Sequence, residues 1–339
     1  MNAPDHPVTP PPAERAAGLK RIRAELASAQ NVVMTTHVHA DGDGAGSEGA
    51  MGGWLRRSGR EVTVVNPTPL PTGYRFLLDG IPAWTHADEQ GKEAIREADL
   101  VLVLDTAEPS RLGQIMPLIE SHRVLTIDHH PPVAQSLGEP SVRDATAAAV
   151  GELIYDLILG AGDMPTLAEA RALYAAIVTD TGSFRYGNTT SRVHLIAAHL
   201  VSLGVDPEDM YHRLYGGYTR ARLSLLQRAL AGISTHERLP VAWISLSAAD
   251  MTETGATRDD VEGIIEYARR LAGIEVAVLL RELSDGRTKV SLRTSGDTDV
   301  AAAARTLGGG GHVKAAGAVL DARLAEAQAQ VIEALEEYF

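Results

Sequence analysis

Residues 37 to 44 read His37, Val38, His39, Ala40, Asp41, Gly42, Asp43, Gly44. Carboxylates two positions apart can approach one point, and His37 adds an imidazole, so the segment offers the oxygen and nitrogen donors that suit hard divalent cations. Gly42 and Gly44 are expected to permit tight backbone turns. The plain alternative is an Asp–Gly turn between a strand and a helix. Asp105 follows the apolar run 101–104 and, taken alone, reads better as the cap of the next helix. Asp128, His129 and His130 follow another apolar run and precede Pro131 and Pro132, which stiffen the loop. Asp180 opens a loop through Gly182. Three of these pieces stand at the ends of successive expected strands, so they would face one crevice. His37, Asp41, Asp43, Asp105, His129 and Asp180 make the ligand number expected of a two-metal site, whose ions sit about 3.5–4 Å apart and bind both attacking and leaving oxygens.

A second cluster, Gly308, Gly309, Gly310, Gly311 and His312, lies near the end of the chain and is followed by Val313, Lys314, Ala315, Ala316 and Gly317. Four glycines can turn backbone amides toward an anion and let it come close; a flexible linker is the competing reading. Arg293 could supply a forked phosphate contact, or be a solvated surface arginine.

These residues require particular elements to position them. A helix is expected over 14–28, a strand over 32–36, a helix over 47–57, and strands over 62–65, 100–104 and 124–127. Strands alternating with helices imply a mostly parallel sheet covered on both faces, with ligands beyond the strands' carboxyl ends. Residues 145–231 read as helical. From 233 onward strands are expected over 241–246, 276–283 and 288–293, the last two joined by a turn at Ser284, Asp285 and Gly286, with helices over 257–271 and 322–338. The fold class is therefore α/β. A disordered tail (1–13) leads into a parallel-sheet catalytic domain (14–188), a helical linker (189–232) and a smaller α+β domain (233–339).

Composition narrows the partners. The 339 residues carry a formal net charge of −13, which argues against long duplex nucleic acid, whose binding needs a basic footprint. Cysteine is absent, so thiolate metal sites and disulfides are excluded. No apolar run is long enough to span a bilayer and the N-terminus lacks a signal pattern, so a cytoplasmic protein without membrane contact is expected.

Asp128-His129-His130, with His37, Asp41 and Asp43 upstream, resembles the DHH phosphoesterase superfamily. The glycine cluster with Ala315-Ala316-Gly317 resembles its DHH-associated C-terminal domain. The resemblance covers about residues 14 to 335, with the motifs in the same order. RecJ exonucleases carry a further barrel, family II pyrophosphatases end in a basic motif, and the membrane-bound cyclic-dinucleotide phosphodiesterases add spanning segments. What remains is similar to the stand-alone bacterial NrnA type.

That resemblance implies hydrolysis of oligonucleotides of two to five residues, pApA included, to nucleoside 5′-monophosphates, and of 3′-phosphoadenosine 5′-phosphate to AMP. A cyclic di-AMP phosphodiesterase, a single-strand DNA exonuclease and a non-catalytic nucleotide sensor are the alternatives. It implies two divalent ions, manganese first, with magnesium or cobalt also accepted, and it admits a homodimer. His37 and Asp41 would hold one ion, Asp43, His129 and Asp180 the other, and Asp105 would bridge them. His130 would donate a hydrogen bond to the phosphoryl group. Arg293, His312 and the amides of Gly309, Gly310 and Gly311 would bind the substrate's terminal phosphate or base, with Arg185 and Asn188 as further contacts. The two domains would close over the substrate.

Overall fold

A computed structural model describes residues 8–131 and 137–339, apart from the side chain of His312. The expectations for residues 1–7 and for Pro132 lie outside the described residues. The chain divides into two compact units, Met1–Gly216 and Gly217–Phe339.

In the first unit, strands β1 (Asn31–Thr35), β2 (Glu61–Asn66), β3 (Ala83–Thr85), β4 (Leu100–Leu104), β5 (Val124–Asp128) and β6 (Ser141–Arg143) form one sheet in the order β3-β2-β1-β4-β5-β6. Every neighbouring pair is parallel. Its helices are α1 (Ala13–Ala27), α2 (Gly42–Arg57), α3 (Glu89–Arg96), α4 (Met116–Ile119), α5 (Val150–Gly160), α6 (Leu167–Asp180), α7 (Ser191–Ser202) and α8 (Pro207–Tyr215). The run Leu-Val-Leu-Val-Leu of β4 shows why the sheet is covered on both sides. Side chains alternate across a strand, so Leu100, Leu102 and Leu104 join the core built with α1, α2, α5 and α6. Val101 and Val103 join the opposite core with Ile95, Leu112, Ile115 and Ile119. The chain runs outward from β1 through β2 to β3, then returns to place β4 on the other side of β1. The crevice at this reversal, beyond the carboxyl ends of β1 and β4, is the usual ligand position in such sheets.

Helix α2 begins at Gly42, five residues before the expected start. Asp41 caps it, its Oδ1 accepting from the backbone N–H groups of Asp43 and Gly44 at 3.0 and 3.1 Å. Gly42 and Gly44 therefore do not serve tight turns; neither has a positive φ, and both lie in the helix. A Cβ at Gly42 would sit 2.4 Å from the Thr179 side chain, at Gly46 2.5 Å from the Ala172 carbonyl oxygen, and at Gly49 2.2 Å from that of Leu77. The glycines let α2 lie against α6 and the 3-10 turn Thr72–Leu78.

Two boundaries differ from expectation. Val8 packs against the first core and the Thr9 carbonyl accepts from Arg192 Nε at 3.2 Å, so part of the expected tail is bound to the fold. The segment 189–232 is not a separate linker. Val193, Ile196, Leu200 and Met210 belong to the core of the first unit, whereas Leu225 and Ala229 belong to a core of the second.

The second unit holds strands β7 (Ser234–Thr235), β8 (Val241–Leu246), β9 (Val276–Glu282), β10 (Thr288–Thr294), β11 (Gly310–His312) and β12 (Ala315–Leu320), ordered β11-β12-β10-β9-β8-β7. Only β8 and β9 pair in parallel. Helices α9 (Arg220–Ala231), α10 (Ala248–Thr254), α11 (Ile265–Arg269), α12 (Val300–Thr306) and α13 (Leu324–Glu336) accompany them. The β9–β10 turn forms as expected, Gly286 adopting φ 85°. The helix expected over 257–271 is broken, because Gly263 at φ 78° separates a short 3-10 turn, Asp259–Val261, from α11. Among the described residues no helix is long and apolar enough to cross a membrane.

Candidate metal centre

Beyond the carboxyl ends of β1, β4 and β5 the chain gathers His37, Asp105, His129 and His130. Asp41 and Asp43 arrive from the start of α2, and Asp180 from the end of α6. Asp105 is held at φ 63°, a left-handed backbone that aspartate tolerates better than most side chains. Its side chain is almost wholly buried.

Ligand atoms of three groups each fall within 4.8 Å of one another: His37, Asp41 and Asp105; Asp43, His129 and Asp180; and Asp105, His129 and His130. Asp105 is shared. Its Oδ2 lies 3.3 Å from His37 Nε2 and its Oδ1 3.4 Å from His129 Nε2. His37 Nε2 is 3.7 Å from Asp41 Oδ2, while His129 Nε2 is 3.7 Å from Asp43 Oδ2 and 3.5 Å from Asp180 Oδ2. The six residues singled out for metal binding are thus brought together.

These groups fit a cation centre on three counts. His37 Nδ1 donates to the Val38 carbonyl at 3.0 Å and His129 Nδ1 to that of Ala147 at 3.3 Å. Each ring therefore aims Nε2 at the carboxylates, the arrangement by which metal-binding histidines are usually oriented. His37 Nε2 and Asp105 Oδ1 are buried atoms that complete no hydrogen bond, and buried polar atoms are seldom left so. The donors are also those of hard divalent ions.

Without a cation the charges disturb one another strongly. Burial opposes a charge on His37, yet the carboxylates of Asp105 and Asp41 hold its pKa up at about 10. For His129 burial again opposes the charge, and Asp105, Asp43 and Asp180 lift the pKa to about 11. Burial followed by repulsion from Asp105 drives the Asp43 carboxyl well above its usual range. Burial also pushes Asp180 up to about 7. Asp105 goes the other way: burial would raise it, but His129 and His37 hold it well below the usual carboxylate range.

Asp43 has a second task. Its Oδ2 accepts from the N–H of Val150 at 2.7 Å and its Oδ1 from that of Gly151 at 3.0 Å, so it caps α5, whose own N-cap residue Ala149 has no side-chain acceptor. His130 Nδ1 lies 2.8 Å from Asp128 Oδ1, and Arg111 Nη1 lies 3.2 Å from its Nε2. A guanidinium can only donate, so Nε2 accepts and the proton sits on Nδ1. The donor expected of His130 is thus turned toward Asp128, and Arg111 is the donor that faces the ring's other nitrogen.

Compared with known proteins, the chain is 32% identical over 323 residues to the bifunctional oligoribonuclease and PAP phosphatase NrnA of Thermus thermophilus, covering 94% of this chain and 93% of that one. Residues 31–177 match the DHH family, N-terminal domain, and residues 241–339 the DHHA1 domain. The chain belongs to the DHH phosphoesterase family. It is also 28% identical to the cyclic-di-AMP phosphodiesterase GdpP of Geobacillus thermodenitrificans, covering 94% of this chain and 49% of that protein. Its fold is similar to the crystal structure of an exopolyphosphatase-related protein from Bacteroides fragilis, with a TM-score of 0.89, 25% identity, and coverage of 95% and 96%.

In the DHHA1 part of this family member the glycine cluster is ordered. Gly308 has φ 73° and the Gly309 N–H bonds the Ala304 carbonyl at 2.8 Å, closing the end of α12. The Gly309 amide is therefore not available to an anion as expected, because it completes a helix cap. Gly310 and Gly311 lie in the edge strand β11, where a Cβ on Gly311 would meet the Ala315 carbonyl at 2.5 Å. His312 pairs through its backbone with Ala315; its side chain lies outside the described residues. Arg293 sits in β10 with Nη1 on the Leu292 carbonyl. Asn188 bonds the Ala148 and Asp180 carbonyls and Arg185 that of Gly182, so both brace backbone around Asp180.

Sequence reasoning missed Arg111, Glu48 and Asn66. Asn66, the last residue of β2, accepts from the Thr36 N–H at 3.0 Å and donates to Glu48 Oε2 at 3.0 Å. It steadies the backbone just before His37. Its place at a strand's carboxyl end was the available signal. Nothing in the order of residues marks Glu48, which is fully buried and whose carboxyl burial pushes up to about 8.

Proposed function

We propose that the chain is a two-cation phosphoesterase acting on oligonucleotides of two to five residues, pApA included, releasing nucleoside 5′-monophosphates, and on 3′-phosphoadenosine 5′-phosphate. The observation carrying this reading is Asp105, a buried carboxylate with one oxygen toward His37 and the other toward His129, which suits a ligand shared by two ions. Manganese is the cation proposed. The 32% identity to the Thermus thermophilus protein over nearly both lengths supports the substrate class, and the acidic chain favours small anions over long duplexes.

When bound, the cations supply charge neutralisation and a more acidic water. The protein's own groups do the rest. His37 and His129 present Nε2 because backbone carbonyls hold their Nδ1 protons. Asp128 keeps the proton of His130 on Nδ1, and Arg111 places a forked donor beside that ring, fitted to a non-bridging phosphoryl oxygen. Arg293, Gly310, Gly311 and His312 are proposed to receive the substrate's far phosphate or base.

Incubation with manganese and pApA, followed by chromatography for AMP, tests the reading. AMP formation that stops on chelation is expected; no product from pApA or from 3′-phosphoadenosine 5′-phosphate would sink it. The likeness to GdpP supports cyclic di-AMP as a second substrate, to be included in the same assay. Preference for a long single strand over the dinucleotide would favour exonuclease action instead.

A further inference from the structure

A cavity of about 500 Å³ opens beside the outer strands of the first sheet, lined among others by Asn66, Leu70, Arg75, Ile81, Trp84 and Thr85. That volume lies within the usual range for small-ligand pockets, about 300–1,000 Å³. Asn66 and Thr85 are the last residues of β2 and β3, so the cavity opens at the same end of the sheet as the metal ligands. Leu70 and Ile81 make an apolar wall. Trp84 is 39% exposed, although indole rings are usually covered. The Arg75 guanidinium makes no ion pair or hydrogen bond among the described residues.

A flat aromatic surface, an apolar wall and a guanidinium with no partner among the described residues, beside a carboxylate, Asp88, that is already bonded to the Thr85 N–H and hydroxyl, together suit a nucleobase with an adjoining phosphate, which stacking and charge recognise without regard to base. The cavity is also at the right reach. Asn66 is bonded to Thr36, the residue before His37, and neighbouring strands lie about 4.8 Å apart. The ends of β2 and β3 that line the cavity therefore stand one and two strand spacings, roughly 5–10 Å, from the β1 end of the centre. One nucleotide unit spans that distance.

We propose that this cavity binds the base of a second nucleoside, the one on the far side of the scissile phosphate. It then distinguishes phosphodiesters flanked by two nucleosides from the monoester 3′-phosphoadenosine 5′-phosphate, which has only one. This deepens the function proposed above and rests on it.

The test compares the full-length protein with its Trp84→Ala, Trp84→Phe and Arg75→Ala variants, all at exposed positions, in manganese with pApA and with 3′-phosphoadenosine 5′-phosphate. Loss of stacking predicts a KM for pApA raised about tenfold in Trp84→Ala, near-normal in Trp84→Phe and raised in Arg75→Ala, with the monoester's KM unchanged. Equal changes for both substrates, or none, overturn the proposal. A second readout needs no turnover: with the metal chelated, pApA should quench tryptophan fluorescence in the unaltered protein and not in Trp84→Phe, and an absent difference also overturns it. If neither substrate is hydrolysed while the quench persists, the hydrolase reading fails and the base site stands.

Discussion

At the scale of single residues the centre is a balance of opposed charges around Asp105. Asp105→Asn keeps the size and the tolerance for left-handed backbone while removing the charge. We expect titration calorimetry to show the manganese stoichiometry falling from two to one or none, with turnover lost. Undiminished binding of two ions would contradict a shared ligand. The pKa values set the pH dependence. In the metal-free protein His37 and His129 remain protonated up to about 10 and 11, and Asp180 to about 7. A cation must displace those protons, so binding should tighten from pH 6 to 9 and release protons; calorimetry in two buffers of different ionisation heat would show it. Stability follows the same sign. The raised imidazole pKa values contribute fully below the ordinary histidine value of 6.5 and are lost as pH rises toward 10 to 11, whereas the contribution of the raised Asp180 carboxyl, of the same sign, is already lost by about pH 7. The metal-free melting temperature should therefore fall between pH 7 and 9 more than the manganese-loaded one. Equal falls would show that the cluster is not the source.

At the scale of elements the position of the proposed ligands depends on how closely α2 approaches its neighbours. Asp41 and Asp43 lie at its first turn, and the glycines below them touch backbone of α6 and of the 3-10 turn. Gly46→Ala is a favourable change for helix propensity but places a methyl 2.5 Å from the Ala172 carbonyl oxygen. Overpacking of this kind costs about 1–3 kcal/mol, which exceeds the propensity gain of roughly 1 kcal/mol. Thermal unfolding should show net destabilisation together with weaker manganese binding, because the turn carrying two ligands is displaced. A stabilised variant would mean that α2 has room to move. Asp43 links this helix to α5 by capping it, so the proposed metal site and the packing of α2 on α5 are joined in one side chain.

At the scale of the molecule each unit has its own cores, and the six expected ligands all belong to the first. A fragment of residues 1–216 should fold and bind two manganese ions with an affinity near that of the whole chain, yet fail to hydrolyse pApA, since the proposed contacts of Arg293 and His312 lie in the second unit. Calorimetry and the AMP assay on the fragment check both halves. A folded fragment that binds no metal would show that the ligand set is incomplete within the first unit.

The local signals were legible where an apolar strand led into a carboxylate or an imidazole, and not where β2 ended in the amide of Asn66. Apolar runs before His37, Asp105 and Asp128 placed these residues at carboxyl ends of parallel strands, and the absence of cysteine fixed the donor type. The true start of α2 was not legible, because Gly42 to Gly46 looks like loop until α6 is known to lie against it. Likewise the glycines at 308–311 read as exposed amides until Ala304 and β12 accept them as a cap and an edge strand. Sharing of Asp105 by two imidazoles, capping of α5 by Asp43 and the hold of Asp128 and Arg111 on His130 join residues far apart in the chain. Residue order carries donor chemistry and periodicity; which donors meet, and which are already bonded, is decided by the sheet's strand order and by helix packing, where contacts at long sequence separation first exist.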